Sequence, residues 1–314
     1  MLSRIVVGVD FSPESDAAVA QAMAIARRSS ASLVLLHVGA IPTAPDDLPK
    51  TMEATAAAYV DVVTERLDED RAALEALRER LAGQGVEVSH AVYDGFAETG
   101  IVEAAEELHA DLIVVGTHGR TGIKRFFLGS VAERAARLAR VPILVARPGQ
   151  RTPAEGLQNI LVATDFSASA AGALVLAQAL ASEGAVIRVL HVWQLPPMSA
   201  ARAAPPRGTS DPLADLHTSM AASVAQTGAE WVARHAGGGV RLIFEAAEGT
   251  PAHVIQEAIA THEPDVVLLG SHGRRAVTRF LLGSVAENTV RYAPCSVVVV
   301  HGAVGTGQTG SHPA

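Results

Sequence analysis

The second half of this 314-residue chain repeats the first. The stretch IVVGVDFSPES at 5–15 returns as ILVATDFSASA at 160–170, and LVLLHV at 33–38 returns as IRVLHV at 187–192. The longest match, DLIVVGTHGRTGIKRFFLGSVAER at 111–134, returns as DVVLLGSHGRRAVTRFLLGSVAEN at 265–288. The displacement is 154 or 155 residues throughout, far longer than the roughly 20–50 residues of a solenoid unit, so it marks a duplicated domain. One fold must therefore serve both halves, and a functional crevice in one should recur in the other.

Within each copy, short β-branched apolar runs alternate with longer Ala-rich segments whose apolar positions suit helices. In the first copy this predicts strands near 4–9, 32–38, 86–92, 111–116 and 142–147, with helices near 13–29, 52–82, 97–109 and 130–139. The second copy follows suit. Runs such as Ile5 to Val9, Leu112 to Val115 and Val266 to Leu269 are apolar throughout, as strands covered by helices on both faces require. The expected fold class is α/β: two tandem doubly wound parallel sheets of five strands each. The expected domains are 1–148 and 158–302, joined by a polar linker at 149–157 and followed by a disordered tail at 303–314. Proline-rich loops at 41–50 and 194–213 read either as lids or interaction segments or as plain surface excursions.

Composition narrows the function classes. Hydrophobic residues make up 49% of the chain, enough for sizeable cores, and 33 acidic against 25 basic residues give a net charge of −8. That balance argues against a nucleic-acid or anionic-membrane binder. No apolar run reaches the roughly 18 residues of a membrane span, and the N-terminus enters a strand pattern at once, so a cytoplasmic protein is expected. The single cysteine, Cys295, rules out an intramolecular disulfide framework and reads as a buried structural thiol.

Ligands of an open α/β sheet settle at the carboxyl ends of strands where strand order reverses. The first strand of each copy ends there in Asp-Phe-Ser: Asp10 to Ser12 and Asp165 to Ser167. Each serine reads as a helix cap; each aspartate reads either as an acceptor for a base or sugar or as a second cap. The fourth strand runs into Gly-x2-Gly-x9-Gly-Ser, formed by Gly116, Gly119, Gly129 and Ser130 and again by Gly270, Gly273, Gly283 and Ser284. Glycines beside a helix start let backbone amides approach a phosphate. Ser130 and Ser284 also precede Glu133 and Glu287 by three, the spacing of a capping box. Arg120, Lys124 and Arg125, with Arg274, Arg275 and Arg279, are loop cations able to neutralise phosphates. His37, His118, His191 and His272 read as packed or solvent-facing side chains rather than acid/base groups. Walker A, Gly-x-Ser-x-Gly and His-Glu-x-x-His patterns are absent, as is a Gly-x-Gly-x-x-Gly after a first strand, and neither a catalytic nor a metal-binding residue set is identified.

Asp10 after the first strand, LLHV ending in Val38, and GTHG followed nine residues later by GSV together resemble the ATP-binding type of universal stress protein, in both halves and over nearly the whole chain. The resemblance implies an adenine nucleotide alpha hydrolase-like, Rossmann-like fold. It implies Asp10 and Val38 at adenine and ribose, and Gly116, Gly119, Gly129, Ser130 and Val131 at ribose and phosphates. The matching second-half positions are Asp165, Val192, Gly270, Gly273, Gly283, Ser284 and Val285. ATP, with or without Mg, is the implied ligand at one or both domains, and nucleotide-dependent stress adaptation or regulation the implied role, with at most slow hydrolysis or autophosphorylation. A nucleotide-dependent transferase or pyrophosphatase and a nucleotide-free scaffold are the rival readings. In the family's strand order PILVAR and SVVVVH lie at sheet edges, so the two halves are expected to pair there about a pseudo-twofold axis, with homodimerisation left open.

Overall fold

The computed structural model describes residues 2–39, 50–118, 128–149, 156–195, 212–237, 239–273 and 282–302. Most of both proline-rich loops, the centre of the linker, Gly119, the loop cations and the tail lie outside these residues. In the first half the elements are β1 (Arg4–Gly8), α1 (Pro13–Ser29), β2 (Ser32–Gly39), α2 (Lys50–Leu81), β3 (Val88–Asp94), α3 (Ala97–Glu107), β4 (Leu112–Gly116), α4 (Ser130–Leu138) and β5 (Ile143–Ala146). The second half repeats them as β6 (Leu157–Thr164), α5 (Ala168–Leu180), β7 (Ala181–Trp193), α6 (Pro212–His235), β8 (Arg241–Glu248), α7 (Pro251–His262), β9 (Val266–Gly270), α8 (Ser284–Tyr292) and β10 (Ser296–Val300).

Local chemistry accounts for the helix starts. Ser12 caps α1 by accepting from the Ser15 amide at 3.2 Å, with Pro13 in the first turn and Glu14 and Asp16 against the positive end of the helix dipole. Ser167 caps α5 in the same way through the Ala170 amide at 3.3 Å. Asp111 lies just before β4, not within it, and its carboxylate accepts from the Ser3 and Arg4 amides at 2.6 and 2.9 Å, fixing the start of β1. Asp265 does the same for Gln158 and Asn159 at 2.8 Å. Leu157, expected at the end of the linker, already belongs to β6 and pairs with Ala181, ahead of a register shift at Asn159.

The strands form one sheet in the order β3, β2, β1, β4, β5, β10, β9, β6, β7, β8. Every neighbouring pair is parallel except the central one. There β5 and β10 run antiparallel, with Val145 opposite Val297, Leu144 opposite Val298 and Ile143 opposite Val299. All six side chains are at most 2% exposed. The pairing expected of the terminal strands is thus how the two halves join: each apolar edge removes the other's unpaired amides and carbonyls from solvent.

Alternation along the strands divides the core into two layers that both cross this seam. On one face Ile5, Val7, Leu33 and Val298 pack with Ala22 and Met23 of α1, Leu74 of α2, Leu174 of α5 and Trp231 of α6. On the other, Val6, Ile113, Val145 and Val297 pack with α3, α4, α7 and α8. Each fully buried aliphatic side chain contributes about 1.5–3 kcal/mol, and neither layer stops at the domain boundary. Among the described residues, no helix is long and apolar enough to cross a membrane.

Candidate functional site

In each half the strand order reverses between the first and fourth strands, β1 beside β4 and β6 beside β9, and a crevice opens at their carboxyl ends. The second-half crevice has a volume of about 290 Å³ and brings together all seven expected residues: Asp165, Val192, Gly270, Gly273, Gly283, Ser284 and Val285. The first-half crevice is smaller, about 120 Å³, and Asp10, Val38, Gly116 and Val131 line it. Gly129 and Ser130 stand at the start of α4, with Ser130 facing the adjoining groove formed by Glu98 and Arg134. Gly119 lies outside the described residues.

The Asp-Phe-Ser turn is built alike in both copies. Asp10 Oδ1 accepts from the Ser12 amide at 3.0 Å and from its hydroxyl at 2.5 Å, and Asp165 Oδ1 accepts from the Ser167 amide at 3.0 Å. One oxygen of each carboxylate therefore shapes the turn while the residue lines the crevice. The turn forces Phe11 and Phe166 into the left-handed region, at φ 62° and 63°, a conformation an aromatic residue adopts only where its surroundings hold it. The surroundings include a histidine. Phe166 stacks on His191 with ring centroids 4.3 Å apart, and Phe11 tilts against His37 at 5.6 Å. Each histidine donates Nδ1–H to the carbonyl at the end of the first strand, Val9 at 2.7 Å and Thr164 at 2.8 Å. His37 and His191 thus hold the crevice floor together.

The second and third glycine positions of the motif behave differently from the first. A Cβ on Gly116 would stand 2.8 Å from the backbone of Glu14, and one on Gly270 would collide with Ser169, so close strand–helix packing alone accounts for glycine at both. A Cβ on Gly273 would approach Asp165 Oδ2 at 3.0 Å, and one on Gly283 the Ser271 carbonyl at 3.1 Å. The amides of Gly129 and Gly283 donate to the Thr117 and Ser271 carbonyls at 2.7 and 2.8 Å, bringing each helix start against the strand end. Their φ values are −67° and −63°, so backbone angle does not require glycine there; at Gly283 the close approach to Ser271 does.

The capping-box expectation is corrected. Gly129 and Gly283 occupy the cap positions of α4 and α8, Ser130 and Ser284 are the first helical residues, and no side-chain cap bond forms. The register is one residue off the capping box because the glycine amide is drawn onto the preceding strand's carbonyl. Among the described residues the first-turn amides of both helices consequently have no side-chain cap, a ready anion site when combined with the helix dipole.

Burial pushes the His118 imidazole below its usual pKa, opposed by Glu14 and assisted by Arg147. The Nε2 atoms of His118 and His272 are buried and have no hydrogen-bond partner among the described residues. Burial also drives the Cys295 thiol up to about 12, in keeping with a structural role. Among the described residues, no three His, Cys, Asp or Glu side chains group as metal ligands. Sequence reasoning passed over Ile101 and Ile255, which project from α3 and α7 into the two crevices. Their recurrence 154 residues apart was the available signal, although core positions recur in the same way.

Fold and crevices define a tandem α/β protein with a duplicated ligand-type cleft at each topological switch point. A family model for the universal stress protein family matches residues 1–147 and again 156–301, and the chain belongs to that family. A universal stress protein of Mycolicibacterium smegmatis is 29% identical over 308 residues, covering 94% of this chain and 96% of its own length. One from Methanocaldococcus jannaschii is 32% identical over 148 residues, 47% of this chain and 83% of its own. Among solved structures, a universal stress protein from Archaeoglobus fulgidus has a TM-score of 0.61 at 20% identity, covering 95% of this chain and 98% of that one. A functionally unknown protein from Pseudomonas aeruginosa has a TM-score of 0.63 at 16% identity, covering 96% and 93%. At those identities the structural likeness concerns the fold.

Proposed function

We propose that each half binds an adenine nucleotide of the ATP type and that the protein acts as a nucleotide-dependent regulator in stress adaptation. The observation that carries this reading is the second-half crevice, where a carboxylate, an apolar slot and an uncapped helix start meet in one cleft whose residues recur in the first half. Apolar side chains, Val192 and Ile255 among them, suit a flat base. Asp165 suits its exocyclic amine or the ribose. The amides of Ser284 and Val285 suit phosphate oxygens, and the space a Cβ on Gly283 would fill is the approach to them. The second site, with the larger volume, is expected to bind first.

The same donor set fits Mg only as a companion of the phosphates, since the described residues supply a single carboxylate to each crevice. Binding without rapid turnover is expected: the crevice aspartates are committed through one oxygen to their turns, and among the described residues no second carboxylate lines either crevice to orient an attacking water. The protein is assigned to the cytoplasm on the same reading.

Calorimetric titration provides the test. ATP is expected to outcompete GTP, whose carbonyl would face the Asp165 and Asp10 carboxylates. Replacement of either aspartate by alanine should reduce the preference at that site by about 1–3 kcal/mol. Equal binding of ATP and GTP by the unaltered protein would overturn the base assignment. Gentle purification followed by mass spectrometry of released small molecules separates nucleotide binding from an empty scaffold.

A further inference from the structure

The antiparallel seam has a topological consequence. A chain leaving β5 at its carboxyl end arrives where the other half enters β10, beside the end of α8. A chain leaving β10 arrives beside the end of α4. The residues at these exits are Arg147 and His301, equivalent positions 154 residues apart. Arg147 Nη2 donates to the carbonyls of Val290 and Arg291, at 3.1 and 3.0 Å, in the last turn of α8. His301 Nε2 donates to the carbonyl of Ala136, at 2.9 Å, in the last turn of α4. Ala136 and Val290 are themselves equivalent, so the contacts are two versions of one clasp. A third bond ties the two helices directly, from Arg291 to Glu133 at 3.2 Å.

Last-turn carbonyls have no partner within their own helix and carry its negative end. Here they are met from the opposite half. The other ends of the same helices are the uncapped starts at Ser130 and Ser284, nine-residue helices about 13 Å long. Each crevice therefore borrows the anchoring of its anion-facing helix from the other domain.

We propose that Arg147 and His301 are positioning residues acting in trans, Arg147 setting α8 for the second-half site and His301 setting α4 for the first, so that neither site is fully formed by its own domain. The proposal rests on the nucleotide reading given above. A single domain cut free of the other would lose the clasp although it kept every crevice residue.

The test uses the full chain in two single-site backgrounds titrated with ATP: Gly129→Val, expected to silence the first site and so to report the second, and Gly283→Val, which reports the first. Arg147→Ala is expected to weaken the second site about three- to tenfold and the first less than twofold. His301→Ala should do the reverse. Arg147→Lys and His301→Gln, which restore a donor, should recover most of the loss, which general destabilisation would not allow. Effects confined to a variant's own half, or equal at both sites, would overturn the proposal. If neither background binds ATP, the nucleotide reading falls separately and amide hydrogen exchange decides the clasp. Selective acceleration in 284–292 for Arg147→Ala and in 130–138 for His301→Ala supports it; uniform or absent change overturns it.

Discussion

A glycine can be required for its missing side chain as well as for its backbone freedom, and Gly283 is required for the first reason. Its φ of −63° is open to any residue, but a Cβ would press on the Ser271 carbonyl at 3.1 Å. The neighbour is backbone, in a turn bonded to Val300 through the Ser271 amide at 2.9 Å, and has little room to give. Gly283→Val is therefore expected to abolish ATP binding at the second site and also to lower stability by about 1–3 kcal/mol. Gly129→Val should mirror the loss of binding in the first. Calorimetry with thermal unfolding measures both effects, and ATP affinity left unchanged in a folded Gly129→Val/Gly283→Val double variant would remove the phosphate loops from the nucleotide site.

Among the elements, α4 and α8 are the shortest helices and the ones most dependent on their ends. The two clasps differ chemically. Arg147 keeps its charge at working pH, whereas burial drives His301 down to about 4, helped by His272 and opposed by the facing carbonyls of Ala136 and Val141. Because the folded pKa lies below the unfolded value of 6.5, the unfolded chain binds the proton more readily. The contribution is fully present above about pH 6.5 and is lost as pH falls toward 4. Its ceiling is about 3 kcal/mol. Unfolding of the unaltered protein and of His301→Gln, compared from pH 7 to pH 4, should show the smaller acid loss in the variant. Parallel losses in the two proteins would refute the buried, neutral imidazole.

At the scale of the whole molecule, the seam makes the two domains one body. Val298 is fully buried between Leu144 and the core it shares with α1 and α5. Val298→Asp would strand a carboxylate there and is expected to cost several kcal/mol, with small-angle scattering showing a larger radius as the halves part. An unchanged radius with unchanged stability would mean that the seam is dispensable. The repeat, the parallel strands and the placement of Asp165 and Gly270 at strand ends were legible in the sequence, since period, apolar runs and spacing are local properties, whereas Val192 was singled out only by the family resemblance. Strand edges could be placed only with the family's strand order in hand. The displaced cap at Gly283, the strained Phe11 and Phe166, and the crossing of Arg147 and His301 to the opposite half were decided only by tertiary structure. Each depends on where a strand end 12 to 165 residues away comes to lie, and a one-dimensional pattern carries no record of that distance.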